Sequence, residues 1–232
     1  MSIRRRQEAP ASEKLSRTLS GILRHGKDDF KKHIDPHGWV KVSDILEKSN
    51  FCRSNSICYQ DVVNVVESNS KQRFALSDCG KKIKANQGHS IEIKTTESFR
   101  RITLENISEY PVVVHGTYHK CLTPIMQTGL CKMNRQHIHF TASDRVDSSI
   151  GVISGFRSST QVLIHIDIQQ AIQDGFLFLV SENNVILSPG NAQGYLPPKY
   201  FKKVVDRASG RELGQQQEQH EQQQQQHEQQ QQ

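Results

Sequence analysis

From Ser12 to Ala85 the apolar residues recur first at helical spacing and later in alternation. Ser12 suits an N-cap, and Leu15, Leu19, Ile22 and Leu23 then share one helix face. Gly26 follows as a left-handed stop, which puts Arg24 and His25 in the last turn. There the negative end of the helix dipole favours the cationic form of both. Asp35-Pro36-His37-Gly38 reads as a turn, Trp39 to Val42 as a short strand, and Ser43 as the cap of a brief helix facing Val42, Ile45 and Leu46 inward. A further helix is expected from about Asn55 to Glu67, carrying Ile57, Val62, Val65 and Val66. Phe74 and Leu76 then alternate onto one face, Ser77-Asp78-Cys79-Gly80 turns the chain, and Lys82 to Ala85 returns as a strand. Helix, strand, helix, helix, hairpin is the order of a winged helix, a fold used for nucleic acids and for protein contacts alike.

His89 to Glu97 is a looser join, and beyond it short strands dominate. Val112 to His115 reads as a buried strand, followed by a helix with Leu122, Ile125 and Met126 inward and Gly129 after its last turn. His137 to Thr141 alternates; Gln161 to Asp167 is a strand and Ile168 to Asp174 a short helix closed by Gly175. Phe176–Val180 and Val185–Leu187 make a hairpin around Glu182-Asn183-Asn184, and Tyr200 to Asp206 is the last strand. The fold class expected is therefore α+β. The divisions expected are a flexible start (1–11), a winged-helix lobe (12–90), a mixed α/β lobe (91–208) and a tail (209–232).

Composition changes this picture at the ends. The hydrophobic share is 34%, below the roughly 45–50% usual for globular chains, and the tail explains part of the deficit. Residues 215–232 are almost all Gln, Glu and His, too polar to offset ordering entropy, so the tail is expected to be disordered. No apolar run reaches the ~18 residues of a membrane span, and the basic start lacks the apolar stretch of a secretory signal. Cys52, Cys58, Cys79, Cys121 and Cys131 are odd in number and lack Cys-x-x-Cys spacing, which fits reduced thiols in a soluble intracellular protein without a structural zinc. Charge is uneven: residues 1–90 carry a net +7 and residues 91–232 a net −1. A basic first part suits a nucleic-acid partner.

Candidate chemistry lies in five basic or His-bearing segments: Leu23-Arg24-His25-Gly26, residues 83–90 (IKANQGHS), His115-Gly116-Thr117-Tyr118, Met133-Asn134-Arg135 and His137-Ile138-His139-Phe140. None is a nucleophile or metal motif; Arg, Lys and His are the side chains that neutralise phosphate. Taken singly, each has a structural reading: a helix-end cap, a core histidine or a surface charge.

Taken in order, the stretches LSRTLSGILRHG (15–26), DPHGWVKVSDIL (35–46), KQRFALSD (71–78), IKANQGHS (83–90), VVHGTY (113–118) and MNRQHIHF (133–140) resemble the RNA 2′-phosphotransferase family, the NAD-dependent enzymes of tRNA splicing. GVISGFRSSTQVLIHID (151–167), SENNVIL (181–187) and PPKYF (197–201) extend the resemblance over roughly residues 12–206. It implies a winged-helix RNA lobe and an ADP-ribosyltransferase-like NAD lobe. It implies too that a splice-junction 2′-phosphate on ligated tRNA attacks C1″ of the nicotinamide ribose, releasing nicotinamide. The ribose 2″-hydroxyl then attacks phosphorus and expels the RNA 2′-oxygen, giving ADP-ribose 1″,2″-cyclic phosphate.

By the same resemblance Arg24, His25, Lys84 and Arg135 form the catalytic quartet. Arg24 and Lys84 would grip the phosphate, His25 would donate a hydrogen bond, and Arg135 would stabilise the second transition state. Lys84 departs from the family's Arg and loses its planar two-pronged hydrogen bond. His115, Gly116, Thr117 and His137, with Ile153, Gly155 and Arg157 at the adenosine end, are implied to bind NAD, consumed as co-substrate with no metal. The expected partner is 2′-phosphorylated tRNA, and the expected state a monomer. Two further readings stay open: an ADP-ribosyltransferase acting on nucleic-acid ends or protein, and a non-catalytic RNA-binding module.

Overall fold

The structure, a computed structural model, describes residues 10–94, 99–143, 157 and 159–213. The sequence expectations for Ile153, for Gly155 and for most of the first eleven residues and of the tail fall outside them. The chain divides into two compact units. One runs to Arg100 and takes in Asn134–Gln136 and Ser181–Asn183; the other holds Arg101–Met133, His137–Val180 and the chain from Asn184. Both mix helices with antiparallel sheet, as α+β requires.

In the first unit α1 spans Ala11–His25. Pro10 precedes it, so the helix starts before Ser12, and no side chain caps it. Proline's fixed φ of −50° and missing N–H suit that position. Leu15, Leu19, Ile22 and Leu23 are at most 1% exposed. Gly26 closes the helix at φ +62°, its N–H bonded to the Ile22 carbonyl at 2.9 Å. β1 (Val40–Lys41) leads directly into α2 (Val42–Lys48), which has no side-chain cap, so Ser43 lies inside the first turn. α3 (Asn50–Ser54), capped by Ser49, is too short to register as periodicity. α4 spans Tyr59–Glu67 and starts four residues later than its apolar pattern suggests. Cys58 and Asp61 cap it reciprocally, the Asp61 carboxylate accepting the Cys58 N–H at 2.9 Å. β2 (Phe74–Leu76) and β3 (Lys82–Ala85) form the expected hairpin, in a sheet ordered β1-β3-β2. Ile83 and Ala85 face the core formed by α1, α2 and α4, which leaves Lys82 and Lys84 on the opposite face.

The second unit holds β4 (Arg100–Ile102), β5 (Val114–Thr117), α5 (His119–Thr128), β6 (Leu130–Cys131), β7 (Ile138–Phe140) and β8 (Val162–Ile166). α6 (Ile168–Gln173), β9 (Phe178–Val180), β10 (Ile186–Ser188), β11 (Tyr195–Leu196) and β12 (Phe201–Asp206) follow. Sheets are ordered β4-β9-β10-β7, β12-β8-β5 and β11-β6. β8 is central and every residue in it is buried, which accounts for its mostly apolar run, interrupted only by His165. The Val114↔Thr141 bridge joins β5 to the end of β7. In α5, Leu122 and Ile125 pack on the core, but Met126 is 41% exposed and does not face inward. Gly129 adopts φ 98°, ψ 178°, a positive-φ conformation outside the left-handed helical region. A Cβ there would lie 2.3 Å from the Leu196 carbonyl oxygen, so the glycine answers the close approach of β11.

Candidate active site

Within the first unit, the end of α1 meets the loop after β3. The Ser90 N–H donates to the Arg24 carbonyl at 2.9 Å, and Ser90 Oγ lies 2.8 Å from His25 Nδ1. Gly88, at φ +90°, lies against the guanidinium: a Cβ there would sit 3.5 Å from its Cζ, Nε and Nη1. The loop also collects the Asn134–Gln136 segment. Gln136 donates its N–H to the His89 carbonyl at 3.0 Å and its Nε2 to Ile93 O at 3.1 Å. Arg135 thereby joins Arg24 and His25.

Arg24 is only half-exposed, and its Nε and Nη2 are enclosed with no hydrogen-bond partner among the described residues. Burial, then Arg135 and Arg73, push its pKa down to about 10, which leaves it cationic at neutral pH. A buried guanidinium among like charges without a matching carboxylate is costly. An anion entering there would relieve it. His25 is also shifted down, by burial first and then by Arg24, Arg135 and Lys27. The helix dipole is therefore outweighed, and the His25 ring is neutral at pH 7, contrary to the expectation that the helix end keeps it charged.

Arg73 joins this cation group, although it was not singled out as a site residue. Its only sequence signal was its place in the KQRFALSD stretch (71–78); the structure seats it through the hairpin, where Asn86 donates its N–H to the Arg73 carbonyl at 2.9 Å, one step past the β2–β3 register. Lys84 has company of its own. Its Nζ donates to Glu182 Oε1 at 2.7 Å and lies 4.8 Å from the centroid of the Trp39 ring.

In the second unit His115, Gly116 and Thr117 lie on β5, opposite Ile164, Leu163 and Val162 of β8. His115 Nδ1 is 2.9 Å from the His139 carbonyl. A carbonyl only accepts, so Nδ1 carries the proton and Nε2 of the neutral ring is left as an acceptor. Burial lowers the His115 pKa and preserves that tautomer at neutral pH. His137 precedes β7 and is pushed down to about 4, by burial and then by Lys132. Arg157 acts on Tyr118, whose hydroxyl lies 2.9 Å from Ser159 Oγ; the Ser159 hydrogen bond and then Arg157 lower the tyrosine pKa. Tyr118, Trp39 and Glu182 were not assigned site roles from sequence. A neutral, tautomer-fixed imidazole, a glycine without side chain and a 6%-exposed threonine on one strand fit a neutral, hydroxyl-bearing ligand. Among the described residues no three His, Cys, Asp or Glu side chains gather as a metal site.

The family model described as RNA 2'-phosphotransferase, Tpt1 / KptA family matches residues 10–190. The chain is similar to tRNA 2'-phosphotransferase 1 of Danio rerio, 40% identical over 204 residues, which cover 86% of this chain and 88% of that protein. It is 37% identical over 205 residues to tRNA 2'-phosphotransferase 1 of Homo sapiens, covering 87% and 78%. A probable RNA 2'-phosphotransferase of Nostoc punctiforme is 35% identical over 193 residues, covering 82% and 96%. These matches take in every segment from which the cation group and the β5 cluster are built, and by them the chain belongs to the RNA 2'-phosphotransferase, Tpt1 / KptA family.

Proposed function

We propose that this protein removes the splice-junction 2′-phosphate from ligated tRNA, with NAD as the acceptor of the phosphate. The observation that carries the reading is Arg24: an enclosed guanidinium, crowded by Arg135 and Arg73, with two nitrogens that no described residue satisfies. Such a group is suited to a phosphate, whose oxygens accept from several N–H donors at once. We read the first unit as a winged-helix lobe holding that phosphate and the second as an ADP-ribosyltransferase-like lobe binding NAD. The divisions at residues 12–90 and 91–208 belong to the same reading.

When bound, NAD would supply a ribose carbon open to attack as nicotinamide leaves, and the hydroxyl that then takes the phosphate. The chain's own residues orient and neutralise. Arg24 donates to phosphate oxygens from its enclosed nitrogens. Arg135 adds a second fixed positive charge, which is where most catalysis of phosphoryl transfer arises. His25, neutral in the free protein, gains a proton more readily once a dianion replaces its purely cationic surroundings, and can donate to that dianion. Lys84 is the fourth cation. His115 presents Nε2, Gly116 leaves backbone open, Thr117 offers a hydroxyl, and His137 stays uncharged. Ile153, Gly155 and Arg157 complete the adenosine end in this reading. The protein works as a soluble monomer and needs no metal.

The test is incubation with NAD and an oligonucleotide bearing an internal 2′-phosphate. The expected products are RNA with a plain 2′-hydroxyl, nicotinamide and the cyclic phosphate of ADP-ribose. A stable ADP-ribosylated RNA or protein would point to the ADP-ribosyltransferase reading. Binding of RNA with no nicotinamide release would leave only the non-catalytic reading.

A further inference from the structure

The Lys84 ammonium is held by a short fragment from far along the chain. Glu182 belongs to the short segment Ser181–Asn183. Ser181 and Asn183, on either side of it, are 3% and 1% exposed. Ser181 Oγ donates to Asn183 Oδ1 at 2.8 Å, and Asn183 Nδ2 donates to the Lys71 carbonyl at 3.1 Å. Glu182 is thus pinned on both flanks while its own side chain stays 41% exposed. Lys84 is only 14% exposed, with its Nζ between Glu182 and the Trp39 face. These groups line a cavity of about 430 Å³ with Ala75, Leu76, Ser77, Asp78 and Lys82.

We propose that Glu182 is a positioning residue, which with Trp39 aims the Lys84 ammonium at the RNA 2′-phosphate. The inference rests on the reading of Lys84 as a phosphate ligand. An arginine carries its donors in a fixed plane, so direction comes with the residue. A lysine is a point charge on four flexible methylenes, and its direction must come from its surroundings. One N–H committed to Glu182, with the ammonium itself over the Trp39 ring, leaves two N–H groups with a defined direction. Glu182 therefore supplies what the exchange of Arg for Lys removes. A carboxylate this close to a phosphate also repels it, so the segment would be a handicap if it gave no such orientation.

The test is a double-mutant cycle on the full chain with NAD and the 2′-phosphorylated oligonucleotide. Glu182→Ala is expected to lower kcat roughly tenfold, a modest displacement cost, and to move KM for RNA much less. In a Lys84→Arg background the same change is expected to cost little, because the guanidinium brings its own direction. Equal losses in both backgrounds would mean a structural role and overturn the proposal, as would an unchanged or faster Glu182→Ala enzyme. A second measurement needs no turnover. The Lys84 ammonium resonance in ¹⁵N-lysine-labelled protein should be visible in the parent and broadened away in Glu182→Ala. If the parent shows no turnover, the proposed function fails, and the positioning of Lys84 by Glu182 stands or falls on that resonance.

Discussion

Arg24 shows how a single side chain can be bad for stability and good for chemistry. Its enclosed nitrogens lack partners and its nearest charged influences are cations. Arg24→Met should therefore leave the urea midpoint unchanged or raise stability by about 1 kcal/mol, because an uncompensated buried charge is removed. Turnover should fall at least about a hundredfold, the scale of losing one fixed transition-state donor. A Met variant that is clearly destabilised, or one that keeps parental turnover, would be incompatible with this view. His137 gives the acid limit of stability. Its folded pKa, about 4, lies below the ordinary 6.5, so the unfolded chain binds more protons between those values. Its contribution is complete above about pH 6.5 and is lost as pH falls toward 4. His137→Gln should flatten the pH dependence of the unfolding free energy, measured in urea, by up to about 1.4 kcal/mol per pH unit in that window, one proton's worth. The same reasoning shows why side-chain charge was only half legible. That Arg24 and His25 end a helix follows from Gly26; that His25 is neutral follows from burial first and then from the cations Arg24, Arg135 and Lys27.

At the scale of elements, most helices and strands were readable from their apolar pattern, and a few of the shortest strands were not. α1, the β2–β3 hairpin and β8 follow their apolar spacing closely. β4, β6 and β11 have two or three residues each, too few to show a period. The start of α4 at Tyr59 was set by Cys58 and Asp61, which cap it, and lies four residues after the beginning near Asn55 that the apolar pattern suggests. Gly129 was readable as a helix stop, but its reason lies in another element. Gly129→Ala should cost about 3 kcal/mol, since backbone crowding and a strained φ act together. The Leu196 carbonyl that a Cβ would strike is backbone and cannot swing away. Denaturant unfolding would check this, and a cost below about 0.5 kcal/mol, the range of neutral surface changes, would show that β6 and β11 separate freely.

For the whole molecule, the sequence by itself determined the α+β class, the uneven charge and the family, because those depend on local spacing and on ordered short motifs. Charge places a net +7 in residues 1–90, the part that also builds most of the cation group. No described helix is long and apolar enough to cross a membrane. Tertiary structure alone decided which distant residues keep company. Asn134–Gln136 reaches Arg24 through the loop at His89, and Ser181–Asn183 brings Glu182 to Lys84 across 98 positions. Arg73 enters beside Arg24 through the hairpin register. Periodicity reports which face of an element is buried; it carries no record of a partner a hundred residues away. Desolvation, like-charge crowding and a pinned carboxylate arise only when the folded chain removes water and fixes those distances, so the protonation of His25 and the company of Lys84 belong to the fold.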